Sequence, residues 1–143
     1  MKINRQGSAV WQGGLKDGKG AISTESGALA AYPYGFASRF DAAPGSNPEE
    51  LIGAAHAACF TMALALILGE AKLTATHMAT TAEVTLDRVG DGYAITSSRL
   101  TLTATIPGVD DAKFQELAHN AKANCPVSKL LKTDISLDAK LAS

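Results

Sequence analysis

The chain has 143 residues, 46% of them apolar and 19% charged, with a formal net charge of −1. That length and composition fit one folded domain over residues 1–143 with a core of its own, and exclude a disordered chain. With no basic cluster, they also exclude a nucleic-acid footprint, which concentrates Lys and Arg.

The N-terminal Met1–Ser8 has no apolar stretch of the kind a secretory leader carries, so a cytoplasmic, reducing compartment is expected. Lys2–Trp11 reads as a strand and Ala21–Thr24 as its hairpin partner, with Gly13-Gly14 and Asp17-Gly18 as turn residues between them. Residues 26–46 are less regular. Pro33, Gly35, Pro44 and Gly45 interrupt them, and Tyr32-Pro-Tyr-Gly-Phe36 reads as a strand or loop that packs on a partner surface.

Ser46-Asn47-Pro48-Glu49-Glu50 is a helix start. Asn47 caps the free N–H groups, Pro48 suits the first helical position, and the two glutamates match the positive end of the dipole. The helix continues through the apolar run Leu51–Leu68, with Gly69 as its expected stop. That run of 18 residues is at the short limit for crossing a bilayer. It contains His56 and Thr61, and its flanks are mostly acidic, against the usual cation bias. It reads as the central helix of a soluble core, with no membrane partner.

Ala75–Arg88 reads as a strand, turned by Gly90-Asp91-Gly92 into Tyr93–Ile106, where Leu100, Leu102, Ala104 and Ile106 alternate. Asp110-Asp111 opens a second helix with Phe114, Leu117, Ala118 and Ala121 on one face. Pro126–Leu131 is a short further helix, and Thr133–Ala139 closes the chain as a strand. The order gives an α+β class with mostly antiparallel sheets around a long apolar helix. One sheet cannot cover every side of that helix. A second copy could, so an obligate homodimer is expected.

Two cysteines carry the chemistry, Cys59 inside the apolar run and Cys125 in Asn124-Cys-Pro-Val-Ser-Lys129. A zinc site needs about four closely spaced ligands, and these two cysteines and three histidines show no such spacing. No C-x-x-C pair is present. Two inert buried thiols remain an open reading. Against it, Cys125 sits just before a helix-starting proline, Cys59 is flanked by small alanines, and Arg39 and Glu49 lie upstream of it. A nearby arginine favours a thiolate. His56 reads as a core histidine satisfied by backbone.

Asn47-Pro48-Glu49-Glu50-Leu51, Ala54-Ala55-His56-Ala57-Ala58-Cys59-Phe60 and Asn124-Cys125-Pro126-Val127-Ser128 together closely resemble the signature of the OsmC/Ohr family, the osmotically inducible protein C and organic hydroperoxide resistance proteins. The order of elements resembles that family over essentially the whole chain. The resemblance implies antiparallel sheets wrapped around a central helix in an intertwined homodimer. It also implies a thiol-dependent peroxidase, with Cys59 as the peroxidatic cysteine, Cys125 as the resolving one and Glu49 as the family's glutamate. The N-terminal turn Gly13-Gly14-Leu15-Lys16-Asp17-Gly18 lacks the arginine of the Ohr branch. Arg39, in Phe36-Ala-Ser-Arg-Phe40, is similar to the OsmC branch.

The implied chemistry is attack of a Cys59 thiolate on an organic hydroperoxide, then a Cys59–Cys125 disulfide, reduced by an external thiol. Arg39 would hold the thiolate and Glu49 would fix the guanidinium by a bidentate contact. No cofactor is expected, since no flavin, haem or nucleotide motif is present. The aromatic residues Tyr32, Tyr34, Phe36, Phe40 and Phe60 suit an apolar peroxide. Glu49 and Cys59 stand ten residues apart, about 15 Å along a helix, so each site is expected to be built across the dimer. The alternatives are a non-peroxidase, thiol-bearing binding protein of the same fold and a structural dimer with inert cysteines.

Overall fold

The computed structural model describes residues 1–142, which fall into two compact units, Met1–Leu51 and the residues from Ile52 onward. In the first, β1 (Gly7–Gln12), β2 (Lys19–Thr24) and β3 (Tyr32–Tyr34) form an antiparallel sheet in that order. Strand β1 starts at Gly7, later than expected. Trp11 and Tyr34 meet edge to face across this sheet, with centroids 5.5 Å apart.

The stretch after β3, read from sequence as strand or loop, contains a short helix α1 (Phe36–Phe40). Ser38 stitches it down: its Oγ accepts from Gly35 N–H and lies 2.8 Å from the Ser46 carbonyl. Helix α2 (Pro48–Glu70) starts as its sequence dictates. Asn47 Oδ1 accepts from Glu50 N–H at 2.8 Å, which satisfies one of the free donors of the first turn.

Helix α2 continues through the second unit and runs one residue past Gly69. Its stop is Lys72, in the left-handed region at φ 63°. Lys72 N–H donates to the Gly69 carbonyl and Leu73 N–H to the Leu68 carbonyl, the paired bonds of a Schellman end. Gly69 therefore lies inside the last turn.

The second unit holds β4 (His77–Val89), β5 (Gly92–Thr105), α3 (Asp111–Asn124), α4 (Pro126–Leu130) and β6 (Asp134–Ala142). Strands β4 and β5 form a long antiparallel hairpin with a register shift at Thr85/Leu86. The other strand pairings are antiparallel, in line with the mostly antiparallel expectation, while β6 pairs with β5 in parallel. The reason is the connection: two helices between β5 and β6 carry the chain back to the start of the next strand, and such a crossover produces parallel pairing. Gly53, His56, Phe60, Leu64 and Leu68 form the buried stripe of α2 at helical spacing. Phe60, Leu64 and Leu68 share a core with Leu100, Leu102, Phe114, Ala118 and Ala121, and Cys125 belongs to it.

Candidate active site

The sequence-derived residues fall into two pairs, one in each unit. In the first unit, α1 carries Arg39 and the first turn of α2 carries Glu49. Arg39 Nε donates to both Glu49 carboxylate oxygens, at 3.1 and 3.3 Å, and Nη2 donates to Oε1 at 2.7 Å. This is the forked contact expected from the sequence, and it fixes the plane of the guanidinium. Glu49 is nearly buried, while the Arg39 side chain keeps 37% of its surface. The cation is therefore anchored from behind and open in front. Phe40 lies 5.6 Å from the guanidinium carbon. Beside it, Trp11, Leu15, Tyr34, Phe36, Arg39 and Phe40 line a cleft of ≈ 200 Å³.

In the second unit, α2 and the α3–α4 junction bring Cys59 and Cys125 together. Both are free thiols, and Cys59 packs against the core to which Cys125 belongs. Burial pushes the Cys59 thiol up, and the Cys125 thiol adds to that rise. The Val127 backbone N–H bonds to the Cys59 sulfur and pulls the other way. Cys59 is half-buried and lines an apolar cavity of ≈ 610 Å³ with Met62, Ala63, Leu66, Ile67 and Pro126 among its neighbours.

Cys125 is fully buried and caps α4 with its own sulfur, which accepts from Ser128 N–H at 3.4 Å. The Ser128 hydroxyl lies 3.0 Å from the same sulfur. His56 is also fully buried, and its partners are not backbone. Nδ1 lies 2.7 Å from Ser98 Oγ and Nε2 lies 2.8 Å from Ser128 Oγ. Burial lowers its proton affinity, so the ring is neutral at rest.

Sequence reasoning named Tyr32, Tyr34, Phe36, Phe40 and Phe60 as aromatic surroundings suited to an apolar peroxide. The structure separates them. Phe60 is fully buried in the core of the second unit, on the buried stripe of α2. Trp11 and Leu15 take part in the cleft at Arg39 and were missed, because nothing local marks a hairpin residue as facing an arginine. Ser128 was missed too. Its signal was its place three residues after Cys125, where an N-cap side chain meets the N3 position. Among the described residues, no three His, Cys, Asp or Glu side chains converge into a metal-binding group.

Residues 41–140 match the family of OsmC-like proteins. The chain belongs to that family. It is 54% identical to Peroxiredoxin OsmC of Escherichia coli (strain K12) over 143 residues, which is all of both chains. An organic hydroperoxide resistance protein of Xanthomonas axonopodis pv. citri (strain 306) is 30% identical over 99 residues, 68% of each chain. Among solved structures, an organic hydroperoxide resistance protein of Bacillus subtilis superposes with a TM-score of 0.68 at 27% identity, covering 96% of this chain and 98% of that one. The OsmC-like fold inferred from sequence, with sheets and a long central helix, is therefore the fold observed.

Proposed function

We infer that this OsmC-like protein is a thiol-dependent peroxidase that reduces organic hydroperoxides to alcohols in defence against oxidative and osmotic stress. The observation that carries the reading is the pairing of two reduced thiols, Cys59 at an apolar cavity and Cys125 in the core against which Cys59 packs. The relatedness to a peroxiredoxin over the whole chain supports it.

The chemistry follows from the residues. Cys59 as thiolate attacks the outer peroxide oxygen; the O–O bond breaks and the alkoxide takes a proton to leave as alcohol. The Cys59 sulfenic acid then loses water as Cys125 closes a disulfide. An external thiol, the reductant, supplies two electrons and reopens it by exchange. The apolar lining at Cys59 suits an organic peroxide better than hydrogen peroxide.

Within its own unit, Cys59 is held as a thiol by burial. A cation must offset that, and the anchored guanidinium of Arg39 is the group built to do so. Glu49 and Cys59 lie about 15 Å apart along α2, too far to share a site on one chain. We read the protein as a homodimer in which Arg39 and Glu49 of one chain serve Cys59 of the other. In support, Ala54, Ala55, Ala58, Met62, Ala65 and Leu66 leave one side of α2 apolar and exposed. Small residues near position 54 allow two helices to cross closely there. The reducing chemistry fits a cytoplasmic location.

The test uses reduced protein and cumene hydroperoxide with free thiols counted. Loss of both thiols is expected in the wild type. Cys59→Ser should abolish turnover, and Cys125→Ser should leave one oxidised thiol. Unchanged thiols would point instead to a non-peroxidase binding protein, and faster reaction with hydrogen peroxide would overturn the substrate class.

A further inference from the structure

The peroxidase chemistry above leaves a buried histidine without a task. His56, Ser98 and Cys125 have no exposed surface, and Ser128 has 8%. They come from α2, β5, the α3–α4 junction and α4, yet they form one line of short contacts. Ser98 Oγ meets His56 Nδ1 at 2.7 Å, His56 Nε2 meets Ser128 Oγ at 2.8 Å, and Ser128 Oγ meets Cys125 Sγ at 3.0 Å. A core needing only volume at position 56 is better served by leucine, because buried polar groups cost free energy even when satisfied. The partners are hydroxyls, each able to donate and accept, so the line can reverse its direction. One end of it is the sulfur that must become a nucleophile.

We propose that Ser128 and His56 form a proton relay that activates Cys125 for attack on the oxidised Cys59. The proposal rests on the peroxidase reading and deepens it. At rest the neutral imidazole accepts at Nε2 from the Ser128 hydroxyl, which accepts from the Cys125 S–H, while Nδ1–H donates to Ser98. In the resolving step the Cys125 proton passes to Ser128 Oγ as the Ser128 proton passes to His56 Nε2. The electron pair left on Cys125 forms the S–S bond and the S–O bond of the sulfenic acid breaks. The departing hydroxide takes a proton from solvent at the half-buried Cys59 and leaves as water. When the external thiol reduces the disulfide, Cys125 leaves as thiolate and recovers its proton from His56 by the same path. Burial of the imidazole favours that return. Ser128, which touches the reacting sulfur, is the catalytic residue of this step. His56 acts through it as a positioning residue and proton store.

The experiment separates the two oxidation steps in the full-length protein. One equivalent of cumene hydroperoxide is mixed with reduced protein. Dimedone trapping followed by mass spectrometry then reports sulfenic acid formation and disulfide closure as separate rates. Ser128→Ala should form the sulfenic acid at the wild-type rate and close the disulfide roughly tenfold to a hundredfold more slowly, in the lower range of what a positioned proton acceptor supplies. Ser128→Thr keeps the hydroxyl and should restore closure. His56→Gln keeps a hydrogen bond to Ser128 but stores no proton, and should resemble Ser128→Ala. Closure in Ser128→Ala within twofold of wild type would overturn the relay, as would equal slowing of both steps or failure of Ser128→Thr to rescue. A wild type that forms no sulfenic acid at all would overturn the peroxidase reading, and the relay with it.

Discussion

At Arg39 the shape of the cation matters as much as its charge. Three N–H···O contacts hold the guanidinium to Glu49 from one edge, leaving the rest of the fork free for an anion. A lysine would keep the charge but supply a single point donor on a flexible stem. Arg39→Lys should therefore leave the fold intact, as checked by circular dichroism. It should lower the rate of Cys59 oxidation by cumene hydroperoxide roughly tenfold to a hundredfold, the value of one or two lost charge-assisted contacts. A rate within twofold of wild type would show that charge alone suffices. The Arg39–Glu49 contact was legible in the sequence because both residues flank one helix start. The partners of His56 were not. A histidine on the buried face of an apolar helix gives no hint of which distant strand or turn will meet it, and Ser98 and Ser128 stand 42 and 72 residues away.

At the scale of elements, local chemistry was readable and non-local pairing was not. Helix α2 began at Asn47-Pro48-Glu49-Glu50 as its caps dictate, but its end came from a Schellman turn at Lys72, a conformation that Lys does not advertise. The parallel β5–β6 pairing had a signal in the α3–α4 crossover, since alternation alone fixes a strand's faces and not its direction. Close packing of α2 on β4 makes a sharper case. A Cβ on Gly53 would meet the Ala82 carbonyl oxygen at 2.8 Å. On helix propensity alone, Gly53→Ala should gain about 1 kcal/mol. The obstructing atom is backbone of a long hairpin and cannot swing away, so strain should win. We expect a net loss of about 1–2 kcal/mol in urea unfolding. A gain would mean that α2 moves freely over the strand.

For the whole molecule the question is which chain completes each site. Within its unit Cys59 is buried towards the thiol form and faces an apolar cavity, while the anchored cation is held by Glu49, ten residues earlier in the sequence. A two-fold dimer with α2 crossing its own copy near Ala54 would bring Glu49 of each chain opposite Cys59 of the other, because such an interface pairs each surface with itself. This arrangement makes a mixing experiment decisive. Cys59→Ser and Arg39→Ala should each be inactive alone. After unfolding and refolding together, half of the dimers are mixed, and in each the Cys59 of one chain meets the Arg39 of the other. One of the two sites is then intact, and about a quarter of wild-type activity should return. If each site were built within one chain, a mixed dimer would contain no intact site and no activity would return. Sedimentation run on the same samples separates that outcome from a failure to form dimers.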